Sequence, residues 1–243
     1  MFAIFKKEVR SFFTAPIGYL IVGLSLLLNG LFLWVFRGNF NIFDYGFSDL
    51  GNFFLLTPWI FIFLVPAITM KSFSEERKLG TLELMLIKPI SVWKIIWGKF
   101  WGTSTLCILA VVPTIIYVIT ISNLGILSGN YDLGVVLGSY FGLFFLIFAY
   151  ISMGLFASTL SENQIVAFIL GVFFCFVFFG GFDAFSTLFP GGENQLLVQK
   201  IGGRIHFESI ARGILDSRDL IYFVSITLGF LYLTATRLNN LTS

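Results

Sequence analysis

The chain has 243 residues, of which 57% are hydrophobic and 12% charged, with a formal net charge of +2. Soluble globular domains carry about 45–50% apolar and about 25% charged residues, so a soluble fold is excluded. The 32 Phe fit a lipid-facing surface, and the two cysteines, Cys107 and Cys175, lie inside apolar runs as small buried hydrophobes that define no disulfide framework.

Residues 2–14 place Phe2, Phe5, Val9, Phe12 and Phe13 on one helical face and Lys6, Lys7 and Arg10 on the other. This predicts an amphipathic helix in a membrane interface, its cations near anionic headgroups. It serves as a plain anchor or as an elbow steering the first span. Basic residues ahead of an apolar run imitate a signal peptide. However, the run over 17–36 is nearly a full span and no A-x-A-like site follows it, so it is read as retained.

A transmembrane helix needs roughly 20 mostly apolar residues. About six runs qualify, at 17–36, 51–70, 100–121, 133–157, 165–182 and 219–236. The expected fold is all-α: a polytopic membrane protein with one transmembrane domain over 1–243. The fifth run is short or continues as a broken helix through Gly180 and Gly181. An even span count puts both termini on one side, which then holds ten Lys and Arg against five opposite. The positive-inside rule assigns that side to the cytoplasm.

Within the spans, Pro58, Pro66 and Pro113 should kink their helices. Asn29 is expected to make an interhelical hydrogen bond, and Trp59 to pack; Trp34, Trp93, Trp97 and Trp101 sit where an aromatic belt is expected. Gly134, Gly138 and Gly142 form two overlapping G-x-x-x-G steps that admit a close neighbour, either within the chain or across a dimer seam.

Residues 70–90 carry most information. Ser74 is placed to cap a charged turn containing Glu75 and Glu76, and Gly80 to break the chain, because only Gly accepts positive φ freely. Thr81 is placed to cap a second short helix with Glu83 in its first turn. That helix shows Leu82, Leu84, Met85, Leu86 and Ile87 before Pro89 stops it. It reads as a solvated positive-inside loop or as a stiff apolar helix fitted to a groove on another protein.

The segment Glu76-Arg-Lys-Leu-Gly-Thr-Leu-Glu-Leu-Met-Leu-Ile-Lys-Pro89 resembles the loop motif of ABC-2 type permeases, E-R-x-x-G-T-L-E-x-L-L-x-x-P, with Met85 as its one departure. The resemblance covers essentially the whole chain. Residues 5–19 and 206–222 are further similar to the branch containing the gliding-motility permease subunit of Bacteroidetes, to which the nitrous-oxide-reductase maturation permease is a close relative. The resemblance implies a permease in the bacterial inner membrane, paired with a second copy or a different membrane subunit. Two cytoplasmic ABC ATPase subunits would bind ATP and Mg and contact Glu75, Glu76, Arg77, Gly80, Thr81, Leu82, Glu83, Leu84 and Leu86, a coupling helix.

Beyond the fifth span, Phe207, Ile210, Ala211, Ile214 and Leu215 form a helical stripe, flanked by Arg204, Glu208, Arg212 and Asp216 at spacings of four with alternating sign. This amphipathic helix belongs on the outer interface, as simple packing, a gate, or a dock for an extracytoplasmic auxiliary protein. His206, the only histidine, has no cysteine nearby to complete a metal set. The chain contains no G-x-x-x-x-G-K-[ST], so ATP-driven work falls to another polypeptide. It is expected to bind no cofactor, metal or nucleic acid and to be no enzyme. No charge sits near the middle of a predicted span, which weakens the alternative of an ion-coupled carrier or channel. Such a complex exports a solute or transmits force outward.

Overall fold

A computed structural model describes residues 1–45, 49–87, 90–124, 131–189, 191–213 and 216–241. Lys88, Pro89, Ile214 and Leu215 lie outside the described residues, as do the side chains of Leu84, Leu86 and Ile87. Among the described residues all regular structure is helical, and six helices are long and apolar enough to cross a membrane: Ile17–Val35, Gly51–Lys78, Val92–Leu124, Leu133–Leu160, Gln164–Ser186 and Ser217–Asn240. The protein is an all-α polytopic membrane protein.

In chain order the elements are α1 (Phe2–Thr14), α2 (Ile17–Gly30, prolonged by a wide turn Leu31–Val35), α3 (Ile42–Tyr45), α4 (Gly51–Thr69), α5 (Lys71–Lys78), α6 (Thr81–Ile87), α7 (Val92–Val111), α8 (Ile115–Leu124), α9 (Leu133–Leu160), α10 (Gln164–Phe176, prolonged by a wide turn Val177–Gly181), α11 (Phe182–Ser186), α12 (Gly192–Gln199), α13 (Gly203–Ala211) and α14 (Ser217–Asn240). Helix α9 is the central post, packed by α4, α10, α13 and α14. Its start is fixed by Asp132, whose Oδ1 accepts from the amides of Gly134 and Val135 at 2.8 and 3.2 Å, satisfying donors that a helix start leaves orphaned. Asn163 and Asp216 do the same for α10 and α14.

Lipid offers no partners to polar groups inside the bundle, so neighbours must; Asn29 is satisfied in this way, whereas Thr103 Oγ1 and the Tyr150 hydroxyl are buried with no partner among the described residues. Asn29 is fully buried; its amide donates to the Ser25 carbonyl at 2.9 Å and its oxygen accepts from Thr57 Oγ1 at 3.0 Å. That bond joins α2 to α4 beside Pro58. Trp59 packs against Phe179, centroids 5.3 Å apart, as its depth in the sequence predicts.

Three boundaries depart from the hydrophobicity reading. The second span does not stop at Met70: that residue keeps helical dihedrals, and α4 runs on through α5 to Lys78. The third begins at Val92, so Lys94 and Lys99 ride on a membrane helix and not in a loop. The amphipathic stripe near 207–215 is cut at Ala211, because Gly213 takes φ +82° against Val135 and ends the helix. The fifth span does continue through Gly180 and Gly181, as a wide helical turn leading into α11.

Candidate functional site

At the end of the bundle that carries the N-terminus, three helices meet on one buried ammonium. Gly98 and Gly102 on α7 are bare on the face that α1 covers; a Cβ at Gly98 would lie 2.9 Å from Ile4 Cβ, and one at Gly102 2.7 Å from Glu8 Cβ. The absence of those methyls lets α1 lie close enough for Glu8 to reach Lys99. Lys99, with 1% of its side chain exposed, sits 2.8 Å from Glu8 Oε1 and 3.0 Å from Glu76 Oε1, and 5.1 Å above the ring of Phe73. Lys7 approaches the same Glu76 oxygen at 3.3 Å. Two carboxylates and two ammonium groups therefore balance, which makes a buried charge tolerable here.

The buried face of α1 is accordingly Ile4, Glu8 and Phe12, whereas Phe2 is exposed and Phe5 and Val9 are half-buried. The glycine strip of α7 thus takes the Ile4, Glu8 and Phe12 side of α1, a packing face beside the Phe stripe that the sequence pattern did not single out, while Lys6, Lys7 and Arg10 stay exposed.

The α5–α6 segment projects from this node. Ser74 lies inside α5, its hydroxyl bonded back to the Met70 carbonyl, so it does not cap. Gly80 has φ +65°, and the amides of Leu79 and Gly80 close the turn on Glu75 and Arg77 carbonyls, a left-handed stop only Gly adopts without penalty. Thr81 donates to the Glu76 carbonyl at 3.2 Å, stitching α6 to α5. Arg77 crosses to the foot of α9, donating to the Thr159 carbonyl at 2.8 Å and pairing with Glu162 at 3.1 Å. Leu82 is 3% exposed and packs, with Met85, against this chain's own core. Exposed at the tip are Gly80, Thr81, Glu83 and Leu79, the last at 66%; Glu75 is half-buried. Leu84 and Leu86 lie on α6 with side chains outside the described residues.

Sequence reasoning missed Glu8, Lys99 and Leu79. The signal for the first two was present: Gly98-Lys-Phe-Trp-Gly102 is a G-x-x-x-G step holding a lysine, and Ile4, Glu8 and Phe12 are spaced by four.

At the opposite end, Gly138 and Gly142 receive α13: a Cβ would meet the Ile210 carbonyl at 3.1 Å and Ile210 Cγ2 at 3.0 Å, respectively. Their close approach is thus made within the chain, while Gly134 faces only the Asp132 carboxylate. Phe207 and Ile210 are buried there, Arg212 lies exposed past the helix end, and Ser139 donates to the Ala211 carbonyl at 3.0 Å. Arg204 pairs with Glu208 at 2.7 Å and Asp183 at 2.8 Å. Burial pulls the Arg204 guanidinium down, but the two carboxylates outweigh it and the net direction is up. His206 Nδ1 lies 2.7 Å from Asp219, and the ring stacks on Tyr222 at 4.0 Å. A cavity of about 520 Å³ opens between α4, α8, α9 and α13, walled by Phe54, Ile121 and Phe207, with Asp49, Asp132 and Arg212 among its polar lining. No group of three metal-ligating side chains occurs among the described residues.

A family model described as ABC-2 family transporter protein matches residues 2–239. No curated protein matches the chain.

Proposed function

The chain belongs to the ABC-2 transporter family, and from that premise we propose that it is a permease subunit driven by a separate ATPase that docks on residues 75–88. Membership makes the chain a multi-pass membrane subunit of an ABC transporter, of a kind that partners an ABC ATPase. The docking site is our own reading. The observation carrying it is the α5–α6 tip: the hydrogen-bonded turn at Gly80 leaves Leu79, Thr81 and Glu83 exposed, while Arg77 and Glu76 fasten its base to the bundle. A lone exposed leucine is ordinary; here it stands with Thr81 and Glu83 on a projection fastened to the bundle, a shape suited to a groove in a partner.

In this reading the tip and both termini face the cytoplasm, ATP and Mg²⁺ belong to the partner, and this chain is non-catalytic. The permease pairs with a second copy or a different membrane subunit in the bacterial inner membrane. Likeness of residues 5–19 and 206–222 to the gliding-motility branch supports a complex that exports a solute or passes force outward in gliding. An extracytoplasmic auxiliary protein would then meet the α11–α13 end.

The test is purification of the assembly from native membranes in mild detergent, with every co-eluting polypeptide identified. Wild type should retain an ATPase and Glu83→Lys should lose it. A stable wild-type protein that retains none, or a Thr81→Cys variant labelled from outside the cell, ends this reading.

A further inference from the structure

We infer that Lys99 is a positioning residue that joins α1 to the α5–α6 segment, so that the N-terminal helix moves with the docking tip during ATP turnover. The inference rests on the proposed docking and extends it to a part of the chain the tip does not touch.

Four observations carry it. Lys99 is 1% exposed and holds one carboxylate from each side, Glu8 of α1 and Glu76 of α5, at 2.8 and 3.0 Å. Glu76 also takes Lys7 of α1 at 3.3 Å, so α1 and α5 are joined both directly and through α7. The other Glu76 oxygen is buried with no partner among the described residues, so the carboxylate is held by these contacts alone. Finally, Gly98 and Gly102, which flank Lys99 on α7, let α1 pack so closely that a Cβ at either would come within 3 Å of Ile4 or Glu8, so α1 and α7 are in direct contact around the lysine.

The consequence is asymmetric. Separating α5 from α7 by a few ångströms would strand a buried carboxylate or ammonium, which is far costlier than moving the elements together. A displacement imposed at the Gly80 turn is therefore shared by α5, α7 and α1. Without Lys99, α5 would keep its tie to α9 through Arg77 but would be joined to α1 only by the exposed Lys7–Glu76 pair.

The experiment is hydrogen exchange on the purified ATPase-containing assembly, with and without nucleotide. The paired variant Glu8→Gln/Lys99→Met removes one acid and one base and leaves Glu76 with Lys7, so no lone buried charge remains. In wild type, nucleotide should alter exchange over both 71–78 and 2–14. In the variant, with ATPase retained, the change should stay at 71–78 and weaken severalfold at 2–14, where only the exposed Lys7–Glu76 pair still joins α1 to α5. Propagation to 2–14 in the variant as in wild type overturns the inference, as does a wild-type N-terminal helix that never responds. Should no ATPase bind, the docking reading fails and the node is read on the chain alone. There Glu76→Gln should speed exchange over 2–14 by about tenfold, and unchanged exchange removes the inference independently.

Discussion

Arg77 donates from its guanidinium to the main-chain carbonyl of Thr159 at 2.8 Å, across 82 residues of sequence. Thr159 stands at the last turn of α9, where carbonyls lack helical partners, so one side chain both satisfies that end and roots the docking tip in the central post. The accompanying Glu162 carboxylate is 62% exposed and adds little. Arg77→Ala is expected to cost about 1.5–3 kcal/mol, against less than about 0.5 kcal/mol for Glu162→Ala. Limited proteolysis near Gly80 and thermal unfolding in detergent measure both; equal effects would refute the ranking.

Gly102→Ala would press a methyl to 2.7 Å from Glu8 Cβ, whereas a Cβ at Gly229 on α14 meets nothing within 4 Å. The first should destabilise by about 1–3 kcal/mol through overpacking. Gly229→Ala should be neutral or stabilise by up to about 1 kcal/mol. Size-exclusion profiles after graded heating distinguish them.

At Gly80 space is open and only the backbone objects: φ is +65° with no atom near a built Cβ. Gly80→Ala should therefore cost about 1–2 kcal/mol locally, while Gly80→Asn costs less because Asn tolerates the left-handed region. ATPase retention should follow the same order, Gly above Asn above Ala.

Thr57→Val keeps the shape of Thr57 but removes the hydroxyl that donates to Asn29. A bond of this kind between membrane helices is worth about 0.6–1.7 kcal/mol. Resistance to SDS unfolding should drop by that amount, and Asn29→Leu/Thr57→Val should cost less than the sum of the single changes.

What the sequence disclosed depends on the range of the interaction. The six spans rest on apolar runs and were legible within single windows. Gly80 was legible too, since its conformation is local. The third helix start was hidden because Lys94 and Lys99 look like loop cations until the partners of Lys99 are known, and Glu8 lies 91 residues away. The packed face of α1 was hidden for the same cause: it includes a glutamate that only a lysine on another helix makes tolerable. The early end of α13 was hidden because charge spacing continued past Ala211 while Gly213 turned against Val135. Leu82 read as an outward apolar residue because nothing local says that the core lies beneath it.

The run Gly51–Lys78 is 28 residues, about 42 Å at 1.5 Å per residue, against a hydrocarbon thickness of about 30 Å. The rod is thus longer than the hydrocarbon is thick by about 12 Å, with the Gly80 turn beyond one end and Gly51 and Phe54 at the other lining the cavity. If the proposed ATPase presses on the Gly80 turn, one continuous piece of backbone would carry that displacement to the cavity wall, and the volume beside Phe54 should change in step with it.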